Sequence, residues 1–350
     1  MEPTVFLSGP QHLNTMKVMS WNINGVRTKL EKKNVQDFLR NYDIISLNEV
    51  KTSLHVSFPG YVSYKSEVCG SAERGGTVVF IRNCFAEFIL DVDTSIQEQV
   101  WIRFRFAPNH VFCFCYIPPA DSQYYSHDLF AAIQEKLCGD SLRQECIVIG
   151  DMNARFGSLA RDLPSLVELP ESDNFTYPDL PDDVRLPNDN AFILSSVCQA
   201  SKLVLINNLK TSDKHFLSRK TYRKGEQWVS ELDVCIVSSG VVSRVSEFQV
   251  FQNDSYLSDH APIAITLSLP TLDLENLSAR AHHLGDHAVL YDACNPNRHV
   301  RKPVHYNDID ETTFTNILHE VECPVLCDNI NETARNVTEL LYQCARASRH

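Results

Sequence analysis

The chain has 350 residues, of which 43% are hydrophobic and 22% are charged, and this composition is typical of a globular protein rather than a disordered one. The length is enough for one large domain with an appendage. The net charge of −12, from 32 basic and 44 acidic residues, argues against tight non-specific binding of nucleic acid but leaves room for a locally basic groove.

Short apolar runs rich in β-branched and aromatic residues recur between residues 17 and 269, and they predict strands. In chain order the predicted strands cover residues 18–21, 44–47, 61–65, 77–81, 100–106, 111–117, 146–149, 203–206, 231–237, 246–251 and 262–267. Amphipathic patterns predict helices over residues 31–41, 126–137 and 190–200. Many strands with few helices predict an α/β fold, a four-layered α/β sandwich in which two packed mixed β-sheets are flanked by helices.

The same patterns divide the chain into three parts. Residues 1–15 have no periodicity and predict a flexible lead-in, while residues 16–270 form the predicted domain. Within it, residues 156–187 are rich in Pro, Asp and Ser and predict a long surface insertion. Residues 271–350 lack the strand pattern and predict a linker-like tail, which ends in an amphipathic helix over 331–347.

The cysteines and the start of the chain indicate the compartment. Cys113 and Cys115 lie in an apolar run, where a reduced thiol acts as a small hydrophobic side chain. No pair of CxxC motifs with zinc spacing occurs, no leader peptide begins the chain, and no apolar run is long enough to span a bilayer. We expect an intracellular protein without membrane contact.

Polar residues stand near the ends of the predicted strands. The set consists of Asn22, Asn24, Glu49, Tyr116, Asp151, Asn153, Asp233, Asp259 and His260. Taken singly, an acid at a strand end is most often a turn or cap residue. Taken together, polar side chains at successive strand ends predict one rim where a cleft can open. Carboxylate and amide oxygens suit a hard cation such as Mg²⁺, and a histidine next to an acid suits proton transfer or stabilisation of phosphorane charge.

Three stretches around these residues carry a resemblance to a known family. They are Ser-Trp-Asn-Ile-Asn-Gly from Ser20, Gly-Gly-Thr-Val-Val-Phe-Ile-Arg from Gly75 and Gly-Asp-Met-Asn-Ala-Arg from Gly150. With the other strand-end motifs, in the same order, they resemble the endonuclease/exonuclease/phosphatase superfamily over about residues 17–269. The motifs look most like the apurinic-type endonuclease domain of non-LTR (LINE-like) retrotransposons. The resemblance implies a hydrolysis that depends on Mg²⁺, with Mn²⁺ as a substitute. The reaction nicks one strand of DNA and leaves a 3′-hydroxyl and a 5′-phosphate. A DNA substrate in turn implies a nuclear location.

The resemblance also implies which residues hold the metal ion. Glu49 would bind it, helped by Asp259, and Asn22 would hold the acid or the phosphate. Asn24 stands where many relatives have an aspartate beside the metal. This departure leaves a second metal position open. No small-molecule cofactor is implied.

The remaining residues of the set would act on the phosphate, again by resemblance. Asp151 would position or deprotonate the attacking water, and Asn153 would hold the scissile phosphate. Tyr116 would contact the phosphate or the leaving oxygen. His260 would contact the non-bridging oxygens, with Asp233 fixing the orientation of its ring.

Substrate contacts are expected in two places. In retrotransposon endonucleases, the segment that corresponds to residues 221–229 forms a hairpin beside the DNA groove. Here Arg223 and Lys224 are placed to contact phosphates, and Trp228 either stacks on a base or packs in the core. Arg27 follows the loop that holds Asn22 and can also meet a phosphate.

Two other functions stay open at this point. The chain can be a different phosphoesterase of the same superfamily, such as an abasic-site repair nuclease or an RNA 3′ nuclease. An inositol phosphatase would need a basic cluster near the strand ends, which the sequence lacks. The chain can also be a catalytically idle, domesticated relic that acts by binding, although every expected acid is present.

Overall fold

The computed structural model describes residues 15–68, 75–139, 145–166, 175–178, 186–252 and 257–269. The strands in chain order are β1 (Thr15–Asn22), β2 (Ile44–Asn48), β3 (Tyr61–Lys65), β4 (Val78–Arg82), β5 (Ile89–Asp93), β6 (Gln99–Phe104), β7 (Ala107–Tyr116), β8 (Glu145–Asp151), β9 (Leu203–Leu205), β10 (Tyr222–Lys224), β11 (Gln227–Ser230), β12 (Asp233–Ser238), β13 (Val245–Val250) and β14 (Ile263–Ser268). The helices are α1 (Lys33–Leu39), α2 (Asn83–Ala86), α3 (Asp128–Gly139), α4 (Leu159–Leu166), α5 (Asp189–Ser201) and α6 (Ser239–Val242).

These strands form two six-stranded sheets and one separate hairpin. The first sheet has the order β13-β14-β1-β2-β4-β3, and the second has the order β5-β6-β7-β8-β12-β9. Each sheet is mixed, because it contains one parallel pair, β1 with β2 in the first and β7 with β8 in the second, among antiparallel neighbours. Strands β10 and β11 pair only with each other among the named strands.

The first sheet is buried on both faces. Val18 and Ile44 belong to a large apolar core that also contains the strands of the second sheet. Their chain neighbours Met19 and Ile45 belong to a second core, which α1 covers. Apolar side chains of α3, α4 and α5 join the large core. Two mixed sheets flanked by helices confirm the predicted four-layered α/β sandwich.

Every strand and helix that the sequence predicts within the described residues is present in the structure. The three predicted helices correspond to α1, α3 and α5, and the predicted hairpin to β10 and β11. The sequence did not predict α2 and α6, which have four residues each, or β5 and α4. The prediction of a surface insertion over residues 156–187 is wrong for the residues of this stretch that the structure describes. That part includes α4, and Phe156, Leu163 and Tyr177 are buried in the core.

Other predictions fall outside the described residues. These are the lead-in except Thr15, and the tail over residues 271–350 with its C-terminal helix. The domain boundary near residue 270 therefore stays a prediction. None of the helices in the described part of the chain has the length and apolarity that a bilayer crossing requires.

The strand registers bring several strand ends to one edge. In the first sheet, Asn22 at the end of β1 lies opposite Asn48 at the end of β2. In the second sheet, Asp151 at the end of β8 lies opposite both Tyr116 and Asp233. Because the sheets pack face to face, the polar residues that follow these strands meet at one rim.

The close approach of β7 and β8 gives a stability prediction. A Cβ atom at Gly150 would overlap the main-chain carbonyl of Cys115 in the neighbouring strand, which has no room to move. We expect Gly150→Ala to lower the free energy of unfolding by about 3 kcal/mol or more, and Tm by roughly 6–12 °C. Gly240→Ala is the matched control, since a Cβ there meets only the movable end of the Glu145 side chain. Equal Tm values for the two variants, measured by thermal unfolding, would contradict this packing.

Candidate active site

The amide of Asn22 joins the two sheets at the rim. Its Nδ2 donates to Glu49 Oε1 at 2.9 Å and to Asp151 Oδ2 at 2.8 Å. Glu49 follows a strand of the first sheet, whereas Asp151 ends a strand of the second. Asn22 Oδ1 accepts a hydrogen bond from the main-chain N of Asn24 at 3.0 Å. Asn22 is 1% exposed. Each of its two amide hydrogens donates to a different carboxylate, so the amide sets the spacing between Glu49 and Asp151.

His260 lies between two buried carboxylates. Its Nδ1 is 2.8 Å from Asp233 Oδ2, and its Nε2 is 3.7 Å from Asp151 Oδ2. Both aspartates are fully buried, and Asp233 Oδ1 has no hydrogen-bond partner among the described residues. A buried carboxylate with an unpaired oxygen needs a nearby positive charge, and the imidazolium of His260 supplies it.

The charges of this group follow from burial and from each other. Burial lowers the pKa of His260, but the carboxylates of Asp233 and Asp151 outweigh it and raise the pKa to about 10. Burial raises the pKa of Asp151 to about 7, although the charge of His260 opposes the shift. At neutral pH the imidazole is therefore protonated, and Asp151 is near its titration point.

A second group of polar side chains lies on the other side of Asn22. Lys51 Nζ is 2.7 Å from Glu49 Oε2 and donates to Asn24 Oδ1 at 2.6 Å. Asn24 Nδ2 in turn donates to Asp259 Oδ1 at 3.0 Å. The side chain of Glu49 is 17% exposed, so this group is reached from solvent, unlike the buried aspartates.

These oxygens fit a divalent cation. Glu49 Oε2 and Asn24 Oδ1, a carboxylate and an amide oxygen, both face the ammonium of Lys51, and the carboxylate of Asp259 lies beside Asn24. Oxygen donors of this kind suit Mg²⁺. Candidate ligand atoms of Asp151, Asp233 and His260 also lie within 4.8 Å of one another. That group fits less well, because both nitrogens of a protonated imidazole are donors and cannot bind a metal ion.

Tyr116 and Asn153 complete the rim. Tyr116 is 7% exposed, and burial together with the carboxylates of Glu49 and Asp151 raises the pKa of its phenol. The phenol is therefore neutral and can donate a hydrogen bond. Asn153 donates from Nδ2 to the Ile117 carbonyl at 2.9 Å, and from its main-chain N to Asp151 Oδ1 at 3.0 Å.

Four rim residues have left-handed backbone conformations, which are uncommon for residues other than glycine. The φ angles are 48° at Asn24, 49° at Glu49, 52° at Lys51 and 47° at Asn153. Such conformations cost about 1–3 kcal/mol each and persist where the surrounding structure imposes them. Their concentration at one rim is typical of a functional site.

The hairpin of β10 and β11 is attached to this rim. The main-chain N of Arg223 donates to the Asp259 carbonyl at 2.9 Å, and the ring of Tyr222 lies 5.1 Å from that of His260. Of the expected substrate contacts, Lys224 is exposed, as is Arg27 on its own loop. Arg223 is only 7% exposed and its guanidinium lies 5.6 Å from the centroid of the partly buried Trp228 ring.

Several residues at the rim were not singled out from the sequence. Ser258 Oγ donates to the Asn22 carbonyl at 2.6 Å and accepts from the main-chain N of His260 at 3.1 Å. The indole of Trp21 donates to the His260 carbonyl at 3.0 Å. Asn188 holds the Asn153 carbonyl at 2.7 Å. Trp21 stands inside one of the quoted motifs and Ser258 directly precedes Asp259, whereas Asn188 lies far from both in the chain and has no signal in the sequence.

One known protein family matches most of the chain. Residues 19–260 match the Endonuclease/Exonuclease/phosphatase family. No curated protein sequence matches the chain to a significant degree.

Similar solved structures share the fold. The AP endonuclease LMAP from Leishmania major has 14% identity and a TM-score of 0.54, with 73% of this chain and 89% of that chain covered. The 3′ phosphatase NExo from Neisseria, bound to a product DNA hairpin, has 16% identity and a TM-score of 0.52, with 72% and 99% covered. The 3′-5′ exonuclease NExo from Neisseria meningitidis has 17% identity and a TM-score of 0.52, with 72% and 100% covered.

The pair of Asp233 and His260 gives a prediction about charge. Asp233→Asn removes the main cause of the raised His260 pKa while the burial stays, so we expect this pKa to fall well below about 10. An NMR titration of the histidine rings in EDTA measures it. Asp91→Asn, at an exposed ion pair with Arg103 on the edge of the second sheet, is the matched control. An unchanged His260 pKa in Asp233→Asn would contradict the assignment.

The same shift has a consequence for stability. Because the pKa of His260 is higher in the folded state, its charge stabilises the fold fully below about pH 6.5, and this contribution is lost as the pH rises to about 10. Urea unfolding across that range should therefore show the stability difference between wild type and Asp233→Asn shrinking with rising pH. A difference that grows with pH would show that the sign is wrong.

Proposed function

The chain belongs to the Endonuclease/Exonuclease/phosphatase family, and on that premise we propose that it is a Mg²⁺-dependent DNA endonuclease that makes single-strand nicks. The proposal is supported chiefly by one arrangement. The Asn22 amide bonds to both Glu49 and Asp151, and His260 lies between Asp151 and Asp233. A cation site and a proton-transfer site thus stand side by side at one rim.

Each half of the rim has its own role in this proposal. Glu49 and Asp259 would hold Mg²⁺, which neutralises phosphate charge and polarises the P–O bond when bound. Asn24 and Lys51 flank this position, and Lys51 already places a positive charge on Glu49. With an amide at Asn24 instead of a carboxylate, we propose one metal position rather than two.

The other half acts on water and phosphate. Asp151 accepts a proton from the attacking water, which suits a carboxyl whose pKa burial has raised to about 7. The bond from phosphorus to the 3′ oxygen breaks as the bond to water forms, leaving a 3′-hydroxyl and a 5′-phosphate. The protonated His260 stabilises charge on the non-bridging oxygens, and Asn153 holds the phosphate. The neutral phenol of Tyr116 donates to the leaving oxygen or to the phosphate.

DNA as the substrate is supported by the neighbours in structure. One is an AP endonuclease, and another holds a product DNA hairpin. At 14% and 16% identity, these proteins share the fold of this chain. A DNA substrate for this chain is therefore our proposal. We further propose that the choice of site follows the non-LTR retrotransposon endonucleases, through the hairpin of β10 and β11. Its attachment at Asp259 and His260 would bring a bound strand to the catalytic rim.

The two halves of the rim predict a metal-dependent nicking activity. We expect wild type to convert supercoiled plasmid to open circles with Mg²⁺ and not in EDTA. Asp151→Asn and His260→Ala should each lower the rate at least about 10²-fold, because each removes a group that acts on the reacting phosphate or water. The matched control, Asp91→Asn, changes an acid to an amide far from the rim and should nick at the wild-type rate.

Two outcomes of that assay would sink the proposal. Full activity in EDTA would exclude the cation site, and wild-type turnover by Asp151→Asn would remove that carboxylate from the mechanism. A folded wild type that binds duplex DNA but leaves plasmid intact would favour the relic. RNA and abasic substrates would then separate it from the other phosphoesterases.

The hairpin gives a binding prediction. Lys224 is exposed at the tip, so Lys224→Ala should weaken duplex binding similarly for all sequences and reduce the slope of log affinity against log salt by about 1. Fluorescence anisotropy at several salt concentrations, in an Asp151→Asn background that prevents cleavage, measures both. Lys17→Ala is the matched control, because Lys17 lies near the opposite end of β1 from Asn22. The same salt slope for both variants would place the hairpin away from DNA.

A further inference from the structure

Glu98 is a buried acid just behind the rim, and the roles proposed above do not use it. It directly precedes β6 in the second sheet, is 1% exposed, and has a left-handed φ of 57°. A buried carboxylate at a strained backbone position is costly to maintain, at about 1–3 kcal/mol for the backbone alone. The hydrogen bonds of Glu98 show which parts of the rim it stabilises.

The side chain of Glu98 holds the turn that precedes β4. Its Oε2 accepts a hydrogen bond from the main-chain N of Gly76 at 2.8 Å. A Cβ atom at Gly75 would overlap Glu98 Oε1, so the turn passes close over the carboxylate. The φ of +95° at Gly76 requires glycine.

That turn in turn fixes the backbone around Glu49. The main-chain N of Val50 donates to the Gly76 carbonyl at 3.1 Å, and that of Lys51 donates to the Gly75 carbonyl at 3.0 Å. Glu49 and Lys51 have left-handed φ angles of 49° and 52°, so this segment needs such external bonds to keep its shape. The Glu98 carboxylate therefore supports, through one turn, the residue proposed to hold the metal ion.

The main chain of Glu98 fixes Tyr116. The Glu98 carbonyl accepts from the main-chain N of Tyr116 at 2.9 Å and from Thr77 Oγ1 at 3.2 Å. Thr77 Oγ1 also accepts a hydrogen bond from Asn48 Nδ2 at 3.0 Å, and Asn48 directly precedes Glu49 in the chain. One residue thus bonds to the strand end that carries Tyr116 in the second sheet and to the turn that supports Glu49 in the first.

We propose that Glu98 is a positioning residue, which sets Glu49 and Tyr116 relative to each other by joining the two sheets beneath the rim. The inference rests on the proposed function for the roles of these two residues. Positioning of this kind acts on the placement of the metal ion and of the phenol, and not on the binding of DNA along the groove. Its loss should lower metal affinity and kcat by about 10–100-fold, as is usual when a residue that orients a metal ligand is changed.

The test compares Glu98→Gln with wild type and with Glu87→Gln. The control is an exposed acid after the opposite end of β4 and should behave as wild type. Titration calorimetry with Mn²⁺ gives the metal affinity, and nicking kinetics give kcat and KM for DNA. We expect Glu98→Gln to lose about 10-fold or more in Mn²⁺ affinity and in kcat, with KM within about twofold. In the metal-free protein, the amides of Val50 and Lys51 should exchange hydrogen faster.

Each result decides the matter. A folded Glu98→Gln with unchanged Mn²⁺ affinity and unchanged kcat would overturn the proposal, as would a raised KM with unchanged kcat. If Glu98→Gln does not fold, Gly75→Ala displaces the same carboxylate from the other side, and wild-type Mn²⁺ affinity in that variant overturns it. If wild type binds Mn²⁺ and cleaves no DNA, the proposed endonuclease function is wrong. The Mn²⁺ affinity and the hydrogen exchange of Glu98→Gln, compared with wild type, still decide the role of Glu98.

Discussion

The candidate site depends on the amide of Asn22, whose two hydrogens bond to carboxylates of different sheets. Glu49 and Asp151 carry like charges, and each would repel the other if both were placed freely at the rim. Two donors on one planar amide hold them at a fixed spacing instead. Asn22 itself is fixed because it ends the central strand of the first sheet and its carbonyl is held by Ser258. The packing of the two sheets is thereby linked to the geometry of the site.

Asn22 also divides the acids of the rim into two groups with different partners. On one side Asp151 and Asp233 are fully buried and share the charge of His260, whose pKa they raise. On the other side Glu49 is reached from solvent and pairs with Lys51. In the proposed function, burial on one side favours proton transfer, while partly exposed oxygens on the other favour a hydrated cation. A single side chain would then separate the two chemical tasks.

The DNA binding that we propose requires this acidic protein to concentrate its positive charge. The net charge of −12 makes the protein as a whole repel a polyanion. Lys51 lies at the rim, Lys224 lies on the hairpin attached to it, and Arg27 lies on the loop that follows Asn22. A bound cation would add charge in the same place. Under the proposed function, encounter with DNA is therefore favoured at the site itself rather than along the whole surface.

The amino-acid sequence alone determined the class of the fold and the identity of most rim residues. Short apolar runs predict the strands of a two-sheet sandwich, and polar residues at strand ends such as Asp151 and Glu49 predict a rim, because both signals are local in the chain. The tertiary structure decided which of these residues touch. Asn22 and Asp151 are 129 positions apart, and their contact follows from the packing of the sheets. The same holds for Glu98, a single acid before a strand, whose bonds to the turn at Gly76 and to Tyr116 form only when the two sheets meet. A local pattern records which side chains a strand presents, and only the folded chain sets the distances between strands that the sequence keeps apart.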